Sequence, residues 1–304
     1  MTRSSDRVAA IDVGSNTVLC LVLERADDGS LRRVVDRATI TGLGRGSFGR
    51  GQLDDEAIAR TIAAVRAHAD EARALGARVV RGVGTSALRD ASDRERFVSL
   101  AAAVLDRFEV ISGDEEARLT FEGAAAGLAL GAGEHAVLDI GGGSTEIAIG
   151  ERHARWRTSL QLGSVRLYER WLASDPPTPS QIAALIDAIE RALDARGVEA
   201  LPPIVALAGT ATTVACVARG IPWPEIERVH GLVLRPDEIE AVAADLAGRT
   251  SDARRTDPTI EPARADVLVA GAILFARVVR RMREGAVTIS DGGLRWALAD
   301  ALLG

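Results

Sequence analysis

Apolar and polar positions alternate with two different periods along this chain, and each change of period marks an element. Residues 7–13 form an apolar run ending in Ile11-Asp12-Val13, which breaks at Gly14-Ser15-Asn16-Thr17 and resumes over residues 18–24. That pattern predicts two strands joined by a tight turn. The layout returns later, where an apolar strand closes on Asp139, a glycine-rich turn follows, and residues 146–149 resume the strand. IDVGSNT and LDIGGGST are near copies a domain's length apart, which predicts two halves of similar design. Between them, residues 54–75 read as a helix capped by aspartate and residues 78–83 and 108–112 as strands. GDEEARLTFEGAAAGLAL, residues 113–130, then starts a further helix.

In the second half, Pro176, Pro177 and Pro179 punctuate a loop, and Ser180 is placed to cap a helix carrying Ile182, Leu185, Ile186 and Ile189. A strand at residues 204–207, helices near 236–247 and 264–283, a strand at 286–290 and a final helix complete the alternation. The fold class is therefore α/β. TGLGRGSFGRGQ, residues 41–52, reads as a mobile loop, and the charged stretch 249–255 as a solvated connection. At 304 residues the chain exceeds the usual single core, so two domains are expected, residues 1–124 and 125–304, with the last helix packing back on the first.

Composition narrows the function. The chain is 47% hydrophobic and 26% charged, which excludes disorder, and its net charge of −6 argues against broad nucleic-acid or membrane-surface binding. Every basic side chain is arginine, so a P-loop lysine is excluded and phosphate contacts fall to guanidinium groups and backbone amides. Cys20 and Cys216, the two cysteines, lie in apolar runs and predict buried thiols in a reducing compartment. MTRSSDRVAA lacks a signal-peptide core and residues 266–279 fall short of a bilayer span, so a cytoplasmic protein is expected.

A glycine turn between strands lets backbone N–H groups approach an anion, and phosphate is the natural guest. Gly14, Ser15, Asn16 and Thr17 form one candidate, and Gly141, Gly142, Gly143, Ser144 and Thr145 a second. Gly209-Thr210-Ala211-Thr212-Thr213, after another apolar strand, reads as a third loop of this type, with Gly209 and Thr210 at its head. Asp12 and Asp139 precede turns where a divalent cation would bridge carboxylate and phosphate. Glu115, Glu116 and Arg118 fall in the first turn of a helix, where acidic residues either complement the dipole or supply a general base. The sequence leaves open which glutamate would do so. Arg89 serves equally as a phosphate clamp or a surface salt bridge. His135, His153 and His230 carry no ligand pattern, and neither cysteine has a paired base.

Together, IDVGSNT, GTSALRD, SGDEEARL, LDIGGGSTEI, LGSVRLYER, LAGTATT, RADVLVAGA and SDGGLRWAL resemble the exopolyphosphatase and guanosine pentaphosphate phosphohydrolase family of the actin, hexokinase and heat-shock ATPase superfamily. The resemblance implies two ribonuclease-H-like domains with a cleft between them, each built around one of the repeated turns. It implies that the triple glycine wraps a substrate phosphate, that Asp139 and Glu146 bind magnesium, with manganese the alternative, and that Asp12 faces them. Glu116 matches the family's general base and Arg89 its phosphate-binding arginine. The implied reaction is hydrolysis of the terminal phosphoanhydride of inorganic polyphosphate by water, in a homodimer acting on neither nucleic acid nor membrane. A guanosine pentaphosphate 5′-phosphohydrolase, a polyphosphate or alarmone sensor of low activity, and a sugar or acetate kinase are the alternatives. Two departures stand out: the short chain matches the two-domain kind, implying a preference for shorter polyphosphate or a dependence on dimerisation, and EPARADVL replaces the usual histidine-proline-glycine lead-in.

Overall fold

The structure, a computed structural model, describes residues 6–126, 128 and 130–304. Residues 1–5 and two positions of the stretch expected to be helical, 127 and 129, lie outside the described residues. The chain forms two units, Met1–Leu119 with Leu294–Gly304, and Thr120–Gly293. The division falls inside the helix Gly113–Ala124, and the last helix, Leu294–Leu303, belongs to the first unit.

The first unit holds strands β1 (Asp6–Val13), β2 (Thr17–Arg25), β3 (Leu31–Ile40), β4 (Val80–Gly84) and β5 (Arg107–Val110) in the order β3-β2-β1-β4-β5. β1 pairs antiparallel with β2 and β2 with β3, while β1–β4 and β4–β5 are parallel. The second unit holds β6 (His135–Ile140), β7 (Thr145–Gly150), β8 (Ala154–Leu160), β9 (Ile204–Leu207), β10 (Val233–Leu234) and β11 (Val287–Ile289). Its order, β8-β7-β6-β9-β11, repeats the first sheet strand for strand, with β10 added antiparallel on β11. Two mixed sheets of ribonuclease-H-like order thus carry the α/β fold expected from the paired motifs.

The central strands are buried on both faces, which explains their near-continuous apolar runs. Ala9, Ile11 and Val13 of β1 join a core with Ile58, Val65 and Ala69 of the helix Asp55–Ala74. Val8 and Ala10, pointing the other way, pack with Leu294, Leu298 and Leu303 of the final helix. In the second unit Ala136, Leu138 and Ile140 face a large core that includes the helix Leu268–Val279, while Val137 faces Phe121 and Ala124.

Three local expectations change. Thr178, not Ser180, caps the helix Pro179–Asp194, because the Thr178 and Gln181 side chains satisfy each other's backbone N–H groups in a capping box. The stretch 249–255 is solvated at Thr250, Asp252, Ala253 and Arg255, but Arg254 departs from it: it is 1% exposed and donates to the carbonyls of Ala265 at 2.7 Å, Leu246 at 3.0 Å and Arg249. The glycine-rich stretch 41–52 has a defined conformation, with Leu43 and Ser47 buried and backbone bonds running to Ser15 and Asn16. Gly44 allows the close approach, since a Cβ there would stand 2.9 Å from the Ser15 side chain.

Leu298 fills the face of the first sheet that the final helix covers. Leu298→Ala is expected to lower stability by about 2–4 kcal/mol, read as a shift in the urea midpoint at unchanged helix content.

Candidate active site

Both glycine turns share one frame. Gly14 N donates to Thr17 O at 3.0 Å, and Gly141 N to Ser144 O at 3.1 Å, so residues 14–17 and 141–144 close the hairpins β1–β2 and β6–β7 at equivalent positions. What lies behind each turn orients its peptide groups. The carbonyl of Gly141 accepts from Ser164 N at 2.9 Å, and that of Gly142 from Val165 N at 2.9 Å and Arg166 N at 3.2 Å. Arg166 Nε donates to the carbonyl of Gly143 at 2.7 Å. A trans peptide sets its N–H opposite the preceding C=O, so the N–H groups of Gly142, Gly143 and Ser144 point away from this support, as an anion-binding nest requires. In the first unit the carbonyl of Asn16 accepts from Thr41 N and Gly42 N, and that of Ser15 from Gly44 N.

The hydroxyls of the two turns do structural work. Ser15 Oγ accepts from Ala87 N at 3.1 Å and caps the helix Ser86–Asp90, and Thr145 Oγ1 donates to Leu162 O at 2.5 Å. The strand register places Asp139 opposite Glu146. Glu146 is 2% exposed, and its Oε1 accepts from Ser159 Oγ at 2.6 Å. At the equivalent place in the first unit Leu19 stands opposite Asp12. The structure therefore brings two carboxylates together in the second unit and one carboxylate in the first.

Glu116 and Arg89 meet within the first unit. β4 leads through Thr85 into the helix Ser86–Asp90, and Ser112 Oγ accepts from Glu115 N at 3.1 Å to start the helix Gly113–Ala124. Arg89 Nη1 then donates to Glu116 Oε2 at 2.5 Å and to Ile111 O at 3.2 Å. Glu116 is 8% exposed. Burial pushes its carboxyl above the ordinary value of 4.5, and the charge and hydrogen bond of Arg89 oppose that rise. Glu115 instead pairs with Arg118 at 2.7 Å on an accessible face, so burial separates the two glutamates that the sequence left undivided.

The stretch Gly209–Thr213 is not a third turn of the same type. β9 runs directly into the helix Ala208–Arg219, so these residues form its first turns, with Thr213 Oγ1 donating to Gly209 O at 2.7 Å. Their topological counterpart is Gly84-Thr85-Ser86, after the equivalent strand β4. Ala208 enters the helix at φ 66°, a left-handed conformation costing about 1–2 kcal/mol outside glycine. A Cβ on Gly209 would stand 1.9 Å from Arg264 Nη1, so Gly209 admits a guanidinium against a helix N-terminus. Arg264 was legible only as part of RADVLVAGA.

The model of the Ppx/GppA phosphatase family matches residues 22–303. The chain belongs to the Ppx/GppA phosphatase family. It is 35% identical over 315 residues to Exopolyphosphatase 2 of Mycobacterium tuberculosis strain H37Rv, covering 98% of this chain and 99% of that protein. A 189-residue match, also 35% identical, links 61% of this chain to 37% of the guanosine-5′-triphosphate,3′-diphosphate pyrophosphatase of Photobacterium profundum. The crystal structure of the Aquifex aeolicus Ppx/GppA family member superposes with a TM-score of 0.81 at 30% identity, covering 98% of each chain.

The remaining candidates of this Ppx/GppA phosphatase play no part in the turns. Burial raises the thiol of Cys20 to about 12 and that of Cys216 to about 11, which leaves both unreactive near neutrality. His230 Nδ1 lies 2.8 Å from Asp291 Oδ1, and His135 stacks on Phe121. Among the described residues, no three His, Cys, Asp or Glu side chains converge as a metal cage, and no helix is long and apolar enough to cross a membrane.

Gly163 is the tightest support of the second turn, since a Cβ there would stand 2.4 Å from the backbone of Gly142 and Gly143. Gly163→Ala should displace the turn, and we expect orthophosphate affinity, measured by calorimetry, to fall at least about tenfold while far-ultraviolet circular dichroism stays native.

Proposed function

We propose that this Ppx/GppA phosphatase removes the terminal phosphate of inorganic polyphosphate by direct attack of water. The observation that carries the reading is the second unit's glycine turn, with its N–H groups turned outward beside the opposed pair Asp139 and Glu146. Such a turn suits the tetrahedral oxyanion of a terminal phosphate, and the match along the whole of Exopolyphosphatase 2 supports a condensed phosphate as substrate.

A divalent cation fits the chemistry of this donor set. Asp139 and Glu146 offer hard carboxylate oxygens, and magnesium favours one or two such ligands with substrate oxygens and water completing its shell; manganese would occupy the same donors. When bound, the cation offsets charge on the phosphoryl oxygens. Gly142, Gly143 and Ser144 hold the terminal phosphate through their N–H groups, and Gly14 to Thr17, with Gly209 and Thr210, serve as further phosphate-directed backbone. Asp12 acts as the first unit's carboxylate beside its own turn.

Glu116 takes the proton from the attacking water. As its oxygen bonds to the terminal phosphorus, the bridging P–O bond breaks and its electron pair leaves with the shortened chain. Arg89 stabilises the ionised form of Glu116 and neutralises phosphoryl charge. No serine or cysteine nucleophile enters. The reaction takes place in the cytoplasm, in a homodimer, and guanosine pentaphosphate is the second substrate to weigh, given the partial match to the Photobacterium protein.

Phosphate release is to be measured with short polyphosphate, long polyphosphate and guanosine pentaphosphate in parallel. Polyphosphate is expected to be the better substrate, and exclusive turnover of the nucleotide would reverse the assignment. Glu116→Gln should retain the fold and reduce kcat about 100-fold or more. A base must be ionised to act, and burial raises this carboxyl. The acidic limb of kcat/KM should therefore lie above the ordinary carboxylate value of 4.5 and disappear in Glu116→Gln. Full turnover with the limb intact would remove Glu116 from the mechanism.

A further inference from the structure

Ser159 lies on β8, outside every motif that marks the two turns. The register of three adjacent strands sets Asp139 of β6 opposite Glu146 of β7, and Glu146 opposite Ser159 of β8. Directly opposed residues point to the same face of a sheet, so these three polar side chains form one row across it. The equivalent row of the first sheet, read from its own register, is Asp12, Leu19 and Ala38. Both rows begin with aspartate. Where the second member is a glutamate the third is a serine, and where the second is a leucine the third is an alanine.

That pairing has a physical reason. Glu146 is 2% exposed, and a carboxylate that water scarcely reaches must draw hydrogen bonds from the protein. Ser159 Oγ donates one to Glu146 Oε1 at 2.6 Å, within the range of a charge-assisted O–H···O bond. A glutamate side chain has several torsions to fix, and a donor on the neighbouring strand fixes its far end while its own strand fixes the near one. A hydroxyl does this without bringing positive charge, so it orients a carboxylate without itself repelling a cation.

We propose that Ser159 is a positioning residue that holds the Glu146 carboxylate in the orientation in which it receives a divalent cation beside Asp139. This rests on the reading of Asp139 and Glu146 as a cation's donors, and it adds the residue on which the aim of one of them depends. Loss of a partner that orients a metal ligand costs about 10- to 100-fold in metal affinity.

The test is manganese binding to the full chain, followed through the paramagnetic resonance of the free ion, for wild type, Ser159→Ala, Ser159→Thr and Glu146→Gln. The magnesium dependence of phosphate release from polyphosphate is measured beside it. Ser159→Ala should bind manganese about 10-fold or more weakly than wild type, and Ser159→Thr, which keeps the hydroxyl on a side chain suited to a strand, should recover most of the affinity. In Ser159→Ala the magnesium concentration for half-maximal release should rise by a similar factor, and turnover should return as magnesium saturates. Equal manganese affinity in wild type and Ser159→Ala, with Glu146→Gln weakened, would overturn the assignment and leave Ser159 as a structural donor. So would a loss that Ser159→Thr does not recover. Manganese affinity untouched by Glu146→Gln, or absent from wild type, would refute the reading of the carboxylate pair and the proposal with it. Binding that depends on both Glu146 and Ser159, without phosphate release from polyphosphate, would refute the proposed hydrolysis and leave Ser159 in place.

Discussion

The orientation of three peptide planes, Gly141 to Gly143, governs what the second unit can bind, and that orientation is imposed from behind. Ordering a glycine costs at least about 1–2 kcal/mol of backbone entropy, and a single amide–carbonyl bond returns only about 1 kcal/mol net. A free triple-glycine turn would therefore sample many shapes. Here the N–H groups of Ser164, Val165 and Arg166, the Arg166 Nε and the Gly141–Ser144 bond act together on one short loop. The close approach permitted by Gly163 brings them within reach. The strands on either side fix the ends of the turn, and the helix N-terminus fixes its middle.

The first unit meets a different constraint. The Glu116 carboxyl sits under two opposed influences. Burial and Arg89 pull the Glu116 carboxyl in opposite directions, and burial is the larger influence. Removing either would spoil the balance: without Arg89 the carboxyl would be held neutral more strongly, and without burial it would be an ordinary surface acid. The short helix Ser86–Asp90 that delivers Arg89 takes its cap from Ser15, so the hydroxyl of the first turn positions the partner of Glu116.

Strand pairs and their turns were legible because alternation and glycine report local geometry, and IDVGSNT and LDIGGGST fall on equivalent hairpins. The deeper repeat was not. VGTSALRD and LAGTATT both follow the fourth strand of their sheets, yet they share too few residues for similarity to reveal it, and the second was read as another turn because helix and loop begin alike after an apolar strand. The burial of Arg254, Leu43 and Ser47 escaped the sequence for one reason. Charge and glycine content suggest exposure and motion, but buried guanidinium donors satisfied by carbonyls, and glycines pressed against a turn, depend on partners far along the chain. The choice between Glu115 and Glu116 likewise needed burial, which no spacing supplies.

Superposing the two hairpins position by position exposes an asymmetry with chemical meaning. Gly14, Ser15, Asn16 and Thr17 correspond to Gly141, Gly142, Gly143 and Ser144, and Asp12 with Leu19 corresponds to Asp139 with Glu146. The middle of the second turn carries no Cβ, so an anion can reach its amides, whereas Ser15 and Asn16 carry side chains there and Ser15 spends its hydroxyl on a cap. The second hairpin also has two opposed carboxylates, where the first has a carboxylate and a leucine. Two hairpins of one frame therefore present different groups. The second hairpin offers open amides beside two carboxylates, a donor set suited to an anion together with a cation, whereas in the first unit the turn's hydroxyl is spent on the helix that presents Arg89 to the buried Glu116.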